Sequence, residues 1–289
     1  MTWEGSAASF IIGHRVGRTA VRDVDDKGAS RATVRRKVAA AAVSELGALL
    51  KEWRALRGKS QLTLALDAEV SPRHLAFIES GRTAPSQDMV LRLADVLLLG
   101  LRERNVLLVA AGYAPQFGEG AWDSEEMKEL RQAATMILAA HDPHPALVLN
   151  AASTVLDANV GALTLMGEGR DALGRINLMD LVFSPGRVRS AIGNWQEVAG
   201  FLLYRLRENA RLRGPHSEVA RVLARVLAFP DARHLPPMPG GSGAVLVPLT
   251  FTFNGVTSHW FTTVTTFGAP LHALAEEITI EQFHPRGAV

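Results

Sequence analysis

The apolar spacing between Leu46 and Gly112 constrains the fold more than any other feature of this sequence. In ELGALLKEWRALR the apolar residues recur at i, i+3, i+4 and i+7, which predicts a helix with one buried stripe. Gly58 ends that helix, and Ser60 is a favoured N-cap for a second helix in QLTLALDA. The buried side of this second helix is expected to comprise Leu62, Ala65 and Leu66.

The next segment, SPRHLAFIESGR, predicts a third short helix. Ser71 is again a favoured N-cap, and Pro72 suits the first helical position because its missing N–H would have no helical partner there. Leu75 and Ile78 are spaced to face inward, and Gly81 can adopt the left-handed conformation that ends a helix. A helix capped by Ser86 in SQDMVLRLADVL and another in LRERNVLLVAAG complete a set of five, so residues 44–112 predict an all-α domain.

The second and third helices, separated by the three residues 68–70, have the pattern of a helix-turn-helix. In that motif the N-terminal end of the second helix enters the major groove of DNA. The side chains expected to reach base edges are those of Pro72, Arg73 and His74, and Arg73 can donate two hydrogen bonds to one guanine. Phosphate contacts are expected from Lys59, Ser60, Gln61, Ser71, Arg82 and Ser86. The alternative is one more amphipathic helix with a solvated polar face.

A different architecture is expected after Gly112. Residues 113–143 predict a linker and a connector helix, MKELRQAATMILAA. Further on, PALVLN and STVLDAN predict two strands, residues 188–228 predict a helical stretch broken near Gly214, and AVLVPLTFTF with VTSHWFTTVTTF predicts a hairpin around Asn254-Gly255. With a last strand in EEITIEQFHP, residues 144–289 predict an α+β domain whose single sheet has helices on one face.

A sheet packed by helices can enclose an apolar cavity between the two layers. Alternation along a strand puts Phe251 and Phe253 on one face, whereas only one of Trp260 and Phe261 can face inward. The alternative is that the aromatic residues of this part only fill the core. The candidate lining residues are Trp195, Phe201, Phe251, Phe253 and Phe261.

Charge and composition add weaker constraints. Residues 1–112 contain 17 Lys and Arg against 12 Asp and Glu, whereas the remainder contains 14 against 17, so the first part is the better candidate for a polyanionic partner. The chain has no cysteine, which excludes disulfides and fits a reducing cytoplasm.

No apolar run approaches the roughly 18 residues that cross a bilayer, so we expect no membrane insertion. Residues 1–43 have no sustained apolar period and predict a disordered basic extension.

The sequence contains no complete catalytic or cofactor motif. The stretch GGSGA departs from a nucleophile elbow at Ala244, and there is no glycine-rich phosphate loop. His141 and His144 lie in a proline-bounded segment without a third ligand nearby, which favours a turn over a metal site. We therefore expect no enzyme, no metal and no cofactor.

Residues 46–111 resemble the lambda-repressor/Cro-like (XRE-type) helix-turn-helix domain. One departure is Glu69, where such turns commonly have glycine, so this residue must adopt a left-handed conformation or the turn must adjust. The shared marks are Ser60-Gln61, Ala65, Ala68, Val70, Ser71, residues 78–82, Pro85-Ser86 and Leu93-Ala94.

The second part is similar to the MmyB-like regulators, which join a Cro-like domain to a PAS-like ligand-binding domain. The resemblance lies in LLVAAGYAP, AAHDPHPALVLNAASTVLDAN, NWQEVAG, FTTVTTFGAP and EEITIEQFHP. It implies a bacterial transcription regulator that binds double-stranded DNA and senses a small hydrophobic ligand such as a fatty acid. A homodimer is expected, because one recognition helix reads only a few base pairs. The alternative is a hydrophobic-ligand-binding protein whose helical domain mediates protein contacts.

Overall fold

A computed structural model describes residues 44–167, 174–235, 247–253, 255–268 and 270–286. The predicted extension, residues 1–43, lies outside the described residues, as does Asn254 of the predicted hairpin turn. The five predicted helices of the first part are confirmed. They are α1, helical over residues 44–56, α2 (Gln61–Asp67), α3 (Pro72–Glu79), α4 (Gln87–Val96) and α5 (Leu101–Ala110), and together they form the helical domain.

Serine side chains open three of these helices, as predicted. Ser60, Ser71 and Ser86 each accept a hydrogen bond from the backbone N–H three residues ahead. N–H groups in the first turn lack the regular i−4 carbonyl partner of a helix, so each cap stabilises a helix start. Glu69 adopts a left-handed conformation with φ of 55°, which keeps the tight turn between α2 and α3 without a glycine.

The buried face of α2 differs from the prediction. Leu64 and Ala65 are fully buried, whereas Leu62 and Leu66 are 57% and 64% exposed. Leu62 and Leu66 are four residues apart and therefore share one face of the helix. Because α2 has only seven residues and apolar side chains all around it, its sequence period does not determine which face is buried. Packing against α3 and α4 does, and the inward prediction for Leu62 and Leu66 is wrong.

The second part, here called the sheet domain, contains five strands and seven α-helices in the described residues. The sheet order is β2-β1-β5-β4-β3, and every neighbouring pair is antiparallel. The helices are α6 (Lys128–Ala140), α7 (Val160–Met166), α8 (Leu178–Phe183), α9 (Arg187–Ala191), α10 (Trp195–Arg213), α11 (Glu218–Leu227) and α12 (Ala273–Glu277). The strands are β1 (Ala146–Leu149), β2 (Val155–Ala158), β3 (Leu249–Phe253), β4 (Val256–Thr266) and β5 (Thr279–Pro285).

The predicted hairpin is formed by β3 and β4. Phe253 pairs directly with Val256, so the connection has two residues. Gly255 has φ of 78°, as one of the two central positions of a type I′ turn requires. The hairpin continues into the long pairing of β4 with β5, in which Thr262 lies opposite Phe283.

Helices cover both faces of the sheet, which corrects the prediction of helices on one face. On the inner face α8 to α11 pack over residues that include Leu147, Phe251 and Phe283. On the outer face α6 and α12 pack over Val148 and Ile280. All four residues of β1 are buried, because alternate side chains enter two different cores. Of the helices in the described ranges, none is long and apolar enough to span a bilayer.

Candidate functional site

The leading end of α3 is an exposed polar surface on a firmly packed helix. Pro72 and Arg73 are exposed and His74 is half-buried. One turn further in, Leu75 and Ile78 are fully buried and hold α3 on α2. This arrangement leaves the first turn of α3 free to enter a groove of DNA while the rest of the helix is fixed.

Phe77 extends this surface and was missed by the sequence analysis. Its half-buried ring lies 5.3 Å from the guanidinium of Arg73 and 5.8 Å from that of Arg82. Cation–π contacts of this kind restrict the two long side chains. The signal in the sequence is the spacing of Arg73 and Phe77, which are four residues apart and so share a helix face. An aromatic ring at this place can also contact the methyl group of a thymine.

A buried carboxylate ties α3 to the two preceding helices. Glu79, whose side chain is 1% exposed, accepts hydrogen bonds from Arg54 Nε at 3.0 Å and Gln61 Nε2 at 2.8 Å. Because an amide nitrogen carries two hydrogens, Gln61 can still donate one to a phosphate. The same contacts fix the position of the start of α2 relative to the end of α3.

The other predicted phosphate contacts differ in their surroundings. Lys59 donates to Asp67 at 2.7 Å, so its ammonium group is partly neutralised, although it has further hydrogens to donate. The remaining four side chains are exposed: Ser60, Ser71, Arg82 and Ser86.

An apolar cavity of about 80 Å³ lies between α8 to α10 and the inner face of the sheet. Two of the predicted lining residues, Phe201 on α10 and Phe251 on β3, form part of its wall. Its wall also includes the polar side chains of Arg205, Glu281 and Thr262. Arg205 Nη1 donates to Glu281 Oε1 at 2.7 Å, and this carboxylate is only 5% exposed.

A wider groove of about 640 Å³ adjoins the cavity. The two spaces share Leu165, Phe251 and Phe283 as walls. Phe253, another predicted lining residue, faces this groove and stacks on Phe251 with 5.9 Å between the ring centroids. The shared residues place the groove directly beside the cavity.

Trp195 and Phe261 lie away from the described walls of both spaces. Trp195 packs on the core, and its indole N–H donates to the carbonyl of Val182 at 2.7 Å. Phe261 points to the outer face, where it stacks on His284 at 5.0 Å. Its neighbour Trp260 therefore faces inward, and it lines the groove.

Three histidines lie close together near the end of β5. The ring of His141 lies 4.8 Å from that of His284 and 5.9 Å from that of His144. Burial, together with these two neighbours, lowers the pKa of His284. Within the described residues, no group of three or more His, Asp or Glu side chains is placed to hold a metal ion.

Charged side chains join the helical domain to the sheet domain. Arg102 of α5 forms a two-bond ion pair with Glu277 of α12, at 2.7 and 3.2 Å, and Arg213 of α10 donates to the same carboxylate at 2.9 Å. Beside them Glu103 is buried, and its Oε2 lies 3.6 Å from Arg213 without a hydrogen-bond donor among the described residues. Burial raises the pKa of Glu103, which Arg213 only partly offsets.

Two family models match the chain. Residues 130–288, more than half of the chain, match the model described as the MmyB-like transcription regulator ligand binding domain. Residues 50–103, which include α2, α3 and α4, match the helix-turn-helix model. No curated protein matches the chain.

Proposed function

Because this chain belongs to the MmyB-like transcription regulators, we propose that it reads a specific DNA site with α3 and is regulated by a fatty acid bound in its sheet domain. The observation that carries the DNA-binding part is the exposed first turn of α3, which is held on α2 by the buried side chains of Leu75 and Ile78. Pro72, Arg73 and His74 are the proposed base contacts, and Phe77 adds an apolar contact.

The DNA-binding part is tested with operator sequences selected from random DNA. Arg73→Ala is expected to cost about 1–3 kcal/mol on the selected site and to relax one base position. Arg82→Ala is expected to weaken binding to all sequences alike and to reduce the slope of log K against log salt by about 1. Arg225→Ala on α11, which removes the same charge from the sheet domain, is the control. Unchanged affinity and base preference in Arg73→Ala would remove Arg73 from the interface.

The apolar lining of the cavity and of the adjoining groove suits the acyl chain of a fatty acid. The cavity volume of about 80 Å³ is well below the roughly 300–1,000 Å³ of ordinary ligand pockets, so a long ligand must also occupy the adjoining groove. The acyl chain would lie along Phe201, Phe251 and Phe253. Arg205 is the proposed partner of the carboxylate: its Nη1 already donates to Glu281, and its remaining N–H groups can donate to the ligand.

Palmitate and hexadecanol test this assignment, because they share a chain and differ in the head group. We expect calorimetry to show palmitate binding to the wild-type protein. Arg205→Met is expected to weaken palmitate binding at least tenfold, the order of one charge-assisted hydrogen bond, and to leave hexadecanol binding unchanged. Equal losses for both compounds would show that Arg205 acts only through the packing of α10.

We propose further that the regulator acts in the cytoplasm as a homodimer, with two copies of α3 on two half-sites about one helical turn of DNA apart. Light scattering of the protein on DNA fragments that carry one or two half-sites is the test. A single protomer on the two-site fragment at saturating protein would refute the dimer.

A further inference from the structure

We propose that α10 transmits the state of the ligand cavity to the DNA-binding helices, and that Arg57 is the residue through which it does so. This inference rests on the proposed function, because it connects the proposed ligand site with the proposed DNA site. The helix α10 has 19 residues. Phe201, Leu202 and Arg205 in its middle line the cavity, and its C-terminus contacts the helical domain.

Arg57 holds the C-terminal end of α10 from the other domain. Its Nη1 and Nη2 donate to the carbonyl oxygens of Arg211 and Leu212, each at 2.9 Å, and its Nε donates to the carbonyl of Leu97 at 2.8 Å. The last carbonyls of a helix have no partner within the helix and form the negative end of its dipole, so a guanidinium there is favourable. Arg57 itself lies over the ring of Trp53, 5.1 Å from its centroid.

The sheet domain stabilises a helix of the helical domain in return. The first N–H of α5, that of Leu101, donates to Glu276 Oε2 at 2.8 Å, because Gly100 has no side chain to cap the helix. Glu277 binds Arg102 of α5 and Arg213 of α10 at once. Each domain therefore caps a helix of the other, and Arg213 of α10 binds Glu277, the residue next to the one that caps α5.

The path continues from Arg57 to the recognition helix. Arg54 lies one turn earlier on α1 and binds Glu79 at the end of α3. The distance along α10 from Arg205 to Leu212 is about 10 Å, at 1.5 Å per residue. A packed helix moves as a unit, so a shift of α10 at the cavity also moves its C-terminal end. Hydrogen bonds of 2.8–2.9 Å do not persist when they lengthen by an ångström. The shift must therefore either move α1 or break the hydrogen bonds that Arg57 donates to α10.

The test measures how much palmitate changes the affinity for selected operator DNA. In the wild-type protein we expect a change of about fivefold or more, and DNA should change the palmitate affinity by the same factor. In Arg57→Ala both ligands should still bind, while the factor falls below about twofold. Arg57→Lys should fall likewise, because an ammonium group cannot span three carbonyls.

Arg104→Ala is the matched control, since Arg104 donates to the carbonyl of Leu99 within the helical domain. It should retain the wild-type factor. Wild-type coupling in Arg57→Ala would overturn the proposal, and so would a wild-type protein that binds both ligands without coupling. Failure of the wild-type protein to bind DNA or palmitate would instead contradict the proposed function.

A second measurement tests α10 without any ligand. Val198→Phe enlarges a side chain on the cavity wall and should displace α10. Hydrogen exchange of the amides of residues 53–57 and 101–104 should then change about fivefold or more, and this change should disappear for residues 53–57 in Val198→Phe/Arg57→Ala. The transmission route would be refuted if Val198→Phe left these exchange rates unchanged. It would also be refuted if Val198→Phe changed the rates of residues 53–57 equally with and without Arg57.

Discussion

Replacing Gly214 by alanine probes the contact between the two domains. Gly214 follows the last residue of α10 with φ of 80° and ψ of 168°, a region that is essentially restricted to glycine. A Cβ atom there would lie 2.8 Å from Cη2 and 3.1 Å from Cζ2 of Trp53. Trp53 is only 7% exposed and Arg57 lies over its ring, so displacing the ring would disturb this packing.

Two costs therefore add in Gly214→Ala. The backbone conformation costs about 1–3 kcal/mol for a residue with a Cβ. The overlap with Trp53 is a case of overpacking, which costs about 1–3 kcal/mol more. We expect the free energy of unfolding to fall by about 2–6 kcal/mol in urea titrations followed by circular dichroism.

Gly167→Ala separates the two costs. Gly167 also ends a helix at positive φ, 65°, but a Cβ there would have only Arg187 Nη1 near it, at 4.0 Å. This variant should show the backbone cost alone, about 1–3 kcal/mol. In Trp53→Leu the additional cost of Gly214→Ala should disappear, as a double-mutant cycle would detect. Equal costs at the two glycines, or no coupling with Trp53, would refute this reasoning.

Three further substitutions test other parts of the structure, each by urea unfolding. Because burial raises the pKa of Glu103, its ionised form destabilises the native protein, so Glu103→Gln should raise the free energy of unfolding by about 1 kcal/mol at pH 7. This gain should shrink as the pH falls toward about 4, and a gain independent of pH would contradict the assignment. Leu66→Gln should change stability by less than about 0.5 kcal/mol, whereas Leu64→Ala should cost about 2–5 kcal/mol; the reverse order would restore the original assignment of the α2 face. Glu79→Ala should cost about 3–5 kcal/mol, because it leaves Arg54 half-buried without its carboxylate, and a cost below about 1 kcal/mol would contradict that role.

The helix ends could be predicted because their signals are local. The caps at Ser60, Ser71 and Ser86 involve atoms only three residues apart, so the sequence contains the whole interaction. The hairpin of β3 and β4 is local for the same reason. The buried face of α2 is not local, since it depends on contacts with helices elsewhere in the chain, and Leu62 and Leu66 were accordingly misplaced.

In the candidate sites, too, the local features could be predicted from the sequence and the features that depend on distant contacts could not. The position of Arg73 at the start of α3 follows from the cap and from helical spacing alone. Of the predicted cavity residues, Phe201 and Phe251 line the cavity, whereas Phe261 lies on the outer face. Successive side chains along a strand point to opposite faces, so Trp260 and Phe261 must point in opposite directions. Only the assembled sheet shows which of the two directions is inward.

The domain contact was beyond sequence reasoning altogether. Arg57 and Arg211, whose carbonyl it binds, are 154 residues apart. Every residue has a backbone carbonyl, so no sequence pattern identifies the one that Arg57 binds. Nor does any local pattern pair Arg102 with Glu277. Interactions of this kind depend on how two finished domains meet, and they require the three-dimensional structure.

The cap of α5 can form only late in the synthesis of this chain, because the carboxylate that supplies it lies far downstream. Glu276 is made 175 residues after Leu101, whose N–H it accepts. At about 5–20 residues per second, the ribosome needs roughly 9–35 seconds to reach it. During that interval the DNA-binding helices have emerged, but the first turn of α5 still lacks the carboxylate that finishes it. The first turn of α5 therefore gains this cap only after α12 of the sheet domain has been synthesised.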